Sequence, residues 1–406
     1  MPKRIQAIIS GTGIQPRPYQ TTIVTKTTDM FGGRYVNGAD EVEPAARSVM
    51  IESPTGSGKT VMGFIAVALL KAEYPDLAVG WVAMRRDLLR QAAKANQDLG
   101  LNIPDIHFTS MFEKNPEALV QANQDGRKVL MVVDEAQHDA ANSMAHLHNI
   151  IEPKFILGLT ATPFRTDRVK LCFDKVVKDA GIHSLIQDGY LARYHHFSIP
   201  KWDVETVADH YCSDPERWGR SIFYFLTKTE CRQLRDVLIA RGHFERYSKA
   251  VRDKDELGIR TLDPIVDGDS DRERQLAAYL NQDSDKLINC MVLTEGFDDP
   301  SLQTVWVRDS GKGTTMQMAG RVFRQFPTLP FKQVVQSKQT RWPMIRTAMP
   351  DQQYLWQTNE WRSLTVNPHL QEINNRARMA IAQTEVTMPK YVTDRAKAGR
   401  ARRVRF

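Results

Sequence analysis

Ser53-Pro54-Thr55-Gly56-Ser57-Gly58-Lys59-Thr60 follows the apolar run Ser48–Glu52 and precedes a helix-period segment that begins at Val61. Glycines in such a loop let the backbone curl until its N–H groups converge on one phosphate chain, backed by the positive end of the next helix. The strand–loop–helix setting is the one a phosphate-binding loop requires. Thr55, Gly56, Ser57 and Gly58 are then expected to wrap the phosphates of a nucleotide. Lys59 is expected to neutralise the β- and γ-phosphates, and Thr60 to ligate Mg²⁺ through its hydroxyl. By itself the loop says only nucleotide phosphate, because a small-molecule kinase needs one too.

Further along, residues 129–133 form a second apolar run that leads straight into Asp134-Glu135-Ala136-Gln137-His138. Carboxylates at the carboxyl end of a parallel strand sit in the crevice where open α/β sheets bind ligands. Asp134 is placed to hold the Mg²⁺ that Thr60 touches. Glu135 is placed to orient and deprotonate an attacking water. His138 lies further along the turn, positioned to report the state of the γ-phosphate. A lone Asp-Glu reads equally well as a helix cap; the upstream loop is what gives this pair a chemical meaning.

Around these two motifs, short β-branched runs alternate with longer helical stretches, the pattern of stacked βαβ units and a parallel sheet. Expected strands cover residues 48–52, 78–83, 129–133 and 155–159, then 221–225, 264–266, 287–293 and 304–307. Helix-period segments cover 60–71, 87–99, 229–241 and 272–280. Two such sets predict an α/β fold of two tandem domains with parallel sheets, 1–190 and 191–345, the break following Gly189. Residues 241–263 read as a charged surface excursion. A C-terminal extension, 346–406, is expected to lose strand character and to end in a basic tail, where Lys390, Arg395, Lys397, Arg400, Arg402, Arg403 and Arg405 face only Asp394. That tail reads evenly as added affinity for a polyanion or as a solubilising end.

A GSGKT loop followed by a DEAQH box and Thr160-Ala161-Thr162-Pro163 resembles the superfamily 2 helicases and translocases. The resemblance implies two RecA-like domains with ATP bound in the cleft between them. Upstream, Arg17-Pro18-Tyr19-Gln20 resembles that family's Q motif, which implies that Gln20 reads the adenine edge. Arg85-Arg86-Asp87-Leu88-Leu89-Arg90-Gln91 resembles the segment that grips the nucleic-acid backbone. Phe108-Thr109-Ser110-Met111 sits where a further backbone contact is expected, through Ser110. In the second half, Ser221–Phe225 with Lys228 and Cys231 resembles motif IV. Asp267-Gly268-Asp269 with Arg272-Glu273-Arg274 matches the next segment. Thr294-Glu295-Gly296-Phe297-Asp298-Asp299-Pro300 resembles motif V, which implies contacts from Thr294 to nucleic acid and from Gly296 and Asp298 to nucleotide. Gln317-Met318-Ala319-Gly320-Arg321-Val322-Phe323-Arg324 resembles motif VI. The resemblance spans about residues 15–326, in order.

Nothing in the first half quenches the charge that gathers on a transferring phosphoryl group. Arg321 and Arg324, on one side of a short helical turn, are expected to reach across the cleft. Arg324 is the first candidate for an arginine finger and Arg321 the second, with Gln317 one turn earlier placed for water or phosphate. Thr160 and Thr162, just past a strand, resemble the family's coupling hydroxyls, although a threonine pair there also reads as a helix cap. A split site of this kind predicts lobe closure on ATP and release on hydrolysis.

Bulk properties agree without deciding. At 406 residues the chain can bury two ordinary cores. Its net charge of +7 favours a polyanionic partner. Mean hydropathy is −0.42, and no apolar run is long enough to span a bilayer. No signal peptide opens the chain, so a cytoplasmic protein without membrane contact is expected. Cys172, Cys212, Cys231 and Cys290 lack zinc spacing and read as reduced thiols. The DEAQH box with Gln-x-x-Gly-Arg-x-x-Arg resembles DNA-directed relatives more than RNA-directed ones, so DNA is favoured over RNA. Its small size resembles an accessory helicase of a virus or mobile element, a monomer with possible protein partners for loading. The alternatives are an RNA-dependent ATPase, a translocase on duplex DNA that does not unwind, and a phosphotransferase.

Overall fold

The structure is a computed structural model that describes residues 2–138, 142–162, 173–242, 276, 279–281, 285–290 and 298–364. Met1–Arg362 forms one compact unit and Ser363–Phe406 a second. The expected basic tail, the strand at 264–266, most of the helix at 272–280, residues 241–263 beyond Gly242, and the residues Cys172, Thr294 and Gly296 lie outside the described residues, as does the side chain of His138.

Lobe one runs α1 (Lys3–Ile9), α2 (Pro18–Phe31), β1 (Ser48–Glu52), α3 (Lys59–Glu73), β2 (Ala78–Ala83), α4 (Arg86–Asp98), β3 (Ile106–Ser110), α5 (Glu117–Gln124), β4 (Val129–Asp134), α6 (Asn142–Ile151), β5 (Phe155–Thr160) and β6 (Lys175–Val177). Its sheet has the order β3-β2-β4-β5-β1-β6, and every pair is parallel. Strands such as β2, Ala-Val-Gly-Trp-Val-Ala, are buried along their whole length because helices cover both faces. The contact is close: a Cβ on Gly63 of α3 would meet Leu159 Cδ1 at 2.9 Å and the Trp81 ring at 3.0 Å. Phe64, next along α3, stacks on Trp81 with ring centroids 4.4 Å apart.

Parallel order decides where the chemistry falls. β1 and β4 flank β5, so the segments that follow all three leave the same edge. Those segments are the phosphate loop, Asp134-Glu135, and Thr160 to Thr162.

α7 (Ile182–Gln187) precedes the break, and lobe two runs β7 (Arg193–Ile199), α8 (Val204–Ser213), α9 (Pro215–Trp218), β8 (Ser221–Phe225), α10 (Lys228–Ala240), β9 (Lys286–Cys290), β10 (Thr304–Val307), α11 (Lys312–Ala319), β11 (Phe331–Ser337), β12 (Gln352–Gln357) and β13 (Glu360–Ser363). Its sheet has the order β13-β12-β7-β11-β10-β8-β9. Neighbours from β12 to β9 are parallel.

Three departures from expectation concern this lobe, the first being β11, which was not among the expected strands. Arg193-Tyr-His-His-Phe-Ser-Ile199, too polar to announce itself, is an inner strand between β11 and β12. Its residues alternate between faces, so Tyr194 and His196 share one side and His195 and Phe197 the other. The chain past Arg346 also does not lose strand character. β12 and β13 extend the second sheet as far as Ser363, because Tyr354 and Trp361 pack against the core around Phe197.

One buried cluster runs continuously from Ile51 and Met62 of lobe one to Tyr194 and Phe323 of lobe two. Cys212, Cys231 and Cys290 are thiols. No helix among the described residues is long and apolar enough to cross a membrane.

Candidate active site

Gly56 and Gly58 both have φ of +81°, a left-handed conformation that glycine adopts without a Cβ penalty. Crowding adds to the requirement, since a Cβ on Gly58 would stand 2.5 Å from Gln20 Nε2. Two side chains of α2 hold the loop from behind. Tyr19 Oη donates to the Ser57 carbonyl at 2.6 Å and Gln20 Nε2 donates to the same oxygen at 2.8 Å. Gln20 Oε1 accepts from the Arg17 backbone at 2.9 Å, so the glutamine braces the phosphate loop with one bond at each end of its amide. Arg17 donates to Tyr19 Oη at 3.1 Å and lies 5.1 Å from the Tyr190 ring centroid, at the entry to lobe two.

Lys59, the first residue of α3, faces the acidic corner. Burial pushes its pKa down, Glu135 and Asp134 oppose that, and Arg321 and Arg324 add to it. Four charged groups, two from each lobe, therefore act on one lysine. Asp134 closes β4. Burial and the neighbouring Glu135 push its pKa up to about 7, against the pull of Lys59. Glu135 takes a left-handed φ of 52°, which turns its carboxylate out of line with the strand while its N–H donates to Asp134 Oδ1 at 3.0 Å.

Gln137 was not among the expected site residues, yet it organises this corner. Its Nε2 donates to Glu135 Oε2 at 3.1 Å, and its Oε1 accepts from Thr160 Oγ1 at 2.6 Å. Thr160 Oγ1 in turn receives the Thr162 N–H at 3.0 Å. Thr162 reaches the other lobe: a Cβ on Gly313 of α11 would lie 3.8 Å from its methyl group. A continuous path thus joins the carboxylate to the helix that leads into Arg321 and Arg324. The signal for Gln137 was in the DEAQH box, but only its distance to Thr160 gives it a task.

Lobe two meets the loop directly. A Cβ on Gly320 would touch Thr55 at 3.2 Å, and one on Gly56 would meet Arg324 Cγ at 3.7 Å. Gln317 lies on α11, whereas Arg321 and Arg324 lie in the turns after Ala319, not on a helix. Arg324 pairs with Asp298. Burial lowers the pKa of Arg324, with Asp298 opposing and Arg321 and Arg17 adding. Burial raises that of Asp298, with both arginines opposing. Asp299, beside it, forms a buried ion pair with Arg220 at 2.8 Å. The loop that follows is fastened from beneath, where Lys332 Nζ donates to the Pro300 and Leu302 carbonyls at 2.7 and 2.6 Å.

The expected nucleic-acid residues stand at strand ends. Arg85 caps α4 and Arg86 opens it, just after β2. Ser110 ends β3, and exposed Lys228 opens α10 after β8. Because both sheets are parallel, Arg85, Arg86 and Ser110 share the edge that carries the phosphate loop, and Lys228 lies at the corresponding edge of lobe two.

Two lobes, each a parallel sheet flanked by helices, give the chain the fold of the tandem RecA-like helicases it resembles. Residues 13–165 match the family described as Type III restriction enzyme, res subunit. The chain is 24% identical over 331 residues to the putative ATP-dependent helicase IRC3 of Saccharomyces cerevisiae, covering 70% of this chain and 47% of that protein. It is 25% identical over 363 residues to the putative mitochondrial ATP-dependent helicase irc3 of Schizosaccharomyces pombe, covering 80% and 57%. The chain thus spans about half the length of these curated relatives. Among solved structures, it resembles the helicase MrfA bound to DNA and AMPPNP, with TM-score 0.54, 13% identity and coverage of 87% and 54%. It also resembles the Mycobacterium smegmatis helicase Lhr bound to ssDNA and AMP-PNP, with TM-score 0.53, 15% identity and coverage of 83% and 48%.

Proposed function

We propose that this chain hydrolyses ATP at the seam between its lobes and uses the cycle to move along or unwind nucleic acid, DNA in preference to RNA. One observation carries the reading: Arg321 and Arg324 of lobe two face Lys59 of lobe one, while Arg324 also packs over Gly56. The seam therefore supplies cations from both sides of the space where a triphosphate's outer oxygens belong. Charge developing on the transferring group is quenched from both sides only when the lobes are together.

Lys59 neutralises the outer phosphates, and Arg324, steadied by Asp298, supplies the finger, with Arg321 beside it. Glu135, held by Gln137, takes the proton of the attacking water. Asp134 and Glu135 crowd negative charge into one corner, a donor set that fits a hard divalent cation shared with substrate phosphates. Thr60 and Asp134 would hold that ion, and magnesium bound there neutralises the phosphate oxygens. Hydrolysis removes the group that both lobes grip, so the seam loosens, and the path Glu135–Gln137–Thr160–Thr162 carries that change to α11.

Arg85, Arg86, Ser110 and Lys228 supply backbone contacts on the two lobes, where phosphate grips position a strand without reading its sequence. The DNA preference draws on the restriction-enzyme family match and on DNA bound in the MrfA structure. The whole site is assembled within one chain, which suits a monomer.

The test is ATP turnover of Lys59→Ala and Glu135→Gln, with stimulation by single-stranded DNA and by RNA measured in parallel with strand displacement. Both variants are expected to lose turnover and keep nucleic-acid binding. Normal turnover in either refutes the site. Stimulation by RNA alone reverses the substrate assignment, and stimulation by DNA without strand release leaves a translocase.

A further inference from the structure

Lobe one holds one tryptophan, Trp81, in the middle of β2. It is fully buried, and β4 beside it is apolar as far as Asp134. The ring is closely fitted. Gly63, one turn into α3 from Lys59, leaves the notch in which the benzo edge lies, since a Cβ there would meet Trp81 Cη2 at 3.0 Å. Phe64 stacks on the ring with centroids 4.4 Å apart. Notch and stack together fix the rotation of the indole, and with it the direction of its N–H.

That N–H is buried and makes no hydrogen bond of ordinary length among the described residues, although an unpaired buried donor costs roughly 1–3 kcal/mol. Strand register shows what lies in front of it. Trp81 pairs with Val132 of β4, and the side chains of paired residues share a face. Two residues on, Asp134 returns to that face, the one that α3 covers. Burial and Glu135 raise the pKa of Asp134, and Lys59, the Glu135 N–H and the Trp81 indole pull the other way. The indole therefore stands near enough to Asp134 to favour its charged form.

We propose that Trp81 is a positioning residue for Asp134: its N–H, aimed by Gly63 and Phe64, steadies the carboxylate beside Thr60, where the two would share a divalent cation. α3 governs both sides of that arrangement, because Thr60 stands in its first turn and Gly63 and Phe64 follow in the next. A phenylalanine at residue 81 would also stack on Phe64, but it would offer Asp134 no donor. This role rests on the seam reading, in which Thr60 and Asp134 hold the ion.

The experiment measures Mn²⁺ binding to the full chain by electron paramagnetic resonance with ADP present, alongside the Mg²⁺ concentration that gives half-maximal ATP turnover. Trp81→Phe is expected to weaken Mn²⁺ binding about tenfold, as loss of a group that orients a metal ligand does, and to raise the half-maximal Mg²⁺ by a similar factor. Turnover should recover at high Mg²⁺, and ADP affinity in EDTA should hold, because the phosphate loop is untouched. The urea midpoint checks folding. Replacement of Trp81 by 3-benzothienylalanine, which keeps the shape of the ring but carries sulfur in place of the N–H, is expected to repeat the result without a change of size. A ring that only packs would lower turnover equally at every Mg²⁺ concentration and leave Mn²⁺ binding unchanged, which overturns the proposal. Asp134→Asn separates this inference from the seam reading. If that variant keeps Mn²⁺ binding, the metal assignment fails and the role of Trp81 fails with it. If it loses Mn²⁺ while both Trp81 replacements bind the ion as the unaltered protein does, the positioning role alone is refuted.

Discussion

Lobe one packs its sheet with aliphatic side chains and a single tryptophan, Trp81, whereas lobe two holds the other six of the chain's seven. The two sheets are otherwise built alike, parallel and covered by helices. Lobe one places its reactive groups in contiguous motifs at adjacent strand ends, where a P-loop and an acidic pair converge by topology alone. Lobe two contributes two guanidiniums, and it holds them in place with a deep apparatus: the Arg220–Asp299 pair, the Lys332 anchor, and an aromatic core reaching out to Trp361. The contrast teaches that the half-site with the least chemistry needs the most positioning. A finger works only if it arrives at one place from a separate body.

The sharpest way to break this contrast is Arg324→Ala. Loss of the finger is expected to lower kcat by about 10³-fold or more, as deep a loss as Lys59→Ala, while the urea midpoint stays put. If instead it costs only a few-fold, lobe two is a lid and lobe one does the chemistry alone. Next comes Asp299→Ala. It leaves Arg220 charged in a buried setting and is expected to destabilise lobe two by about 3 kcal/mol. Tryptophan fluorescence reports almost entirely on this lobe, so an early fluorescence transition ahead of the helical signal by circular dichroism is the expected result. Coincident transitions would show that the seam makes one cooperative body.

A smaller effect is expected from Gln137→Leu. Glu135 and Thr160 lose their link, and kcat with nucleic acid should fall about tenfold or more, with nucleotide affinity little changed, because the base is displaced rather than removed. A variant with wild-type stimulation would cut Gln137 out of the path between the lobes.

The mildest prediction concerns acid. Burial pushes the pKa of His196 down to about 4, and it lowers His195 and His210 in the same direction. These groups are neutral in the folded protein and take up protons more readily when it unfolds. Their contribution is therefore complete above the ordinary histidine pKa of about 6.5 and fades as the pH falls from there toward 4. His196 alone should weaken lobe two by about 1 kcal/mol per pH unit across that window. Urea titrations at stepped pH, compared with His196→Gln, check the slope; a flat profile in the wild type would sink the attribution.

Legibility divided along the same line as the chemistry. In lobe one the phosphate loop, β4 with Asp134 and Glu135, and the helix behind Lys59 were all readable, because each is a local pattern of glycine, apolar run and charge. β3 and β6 were not among the expected strands, being short and only partly apolar. In lobe two, β7 is hidden from a sequence reading because Tyr194, His195 and His196 look polar, and Tyr194 and His196 become buried only once the strand lies between β11 and β12. β12 and β13 were missed for a similar reason: their half-buried aromatic residues find partners on other elements. Gln20 was expected to face the adenine, and its bonds to Ser57 and Arg17 show the loop-bracing task it performs in this structure.

By itself the sequence determined the fold class, the order of the motifs and the identity of the charged groups, since periodicity and short-range spacing depend only on neighbours along the chain. Only the tertiary structure decided that Gln137 bridges Glu135 to Thr160 and that Asp298 holds Arg324 against the loop. Each of those joins residues far apart in the chain, and such contacts are set by how two sheets twist and pack, which no local pattern records.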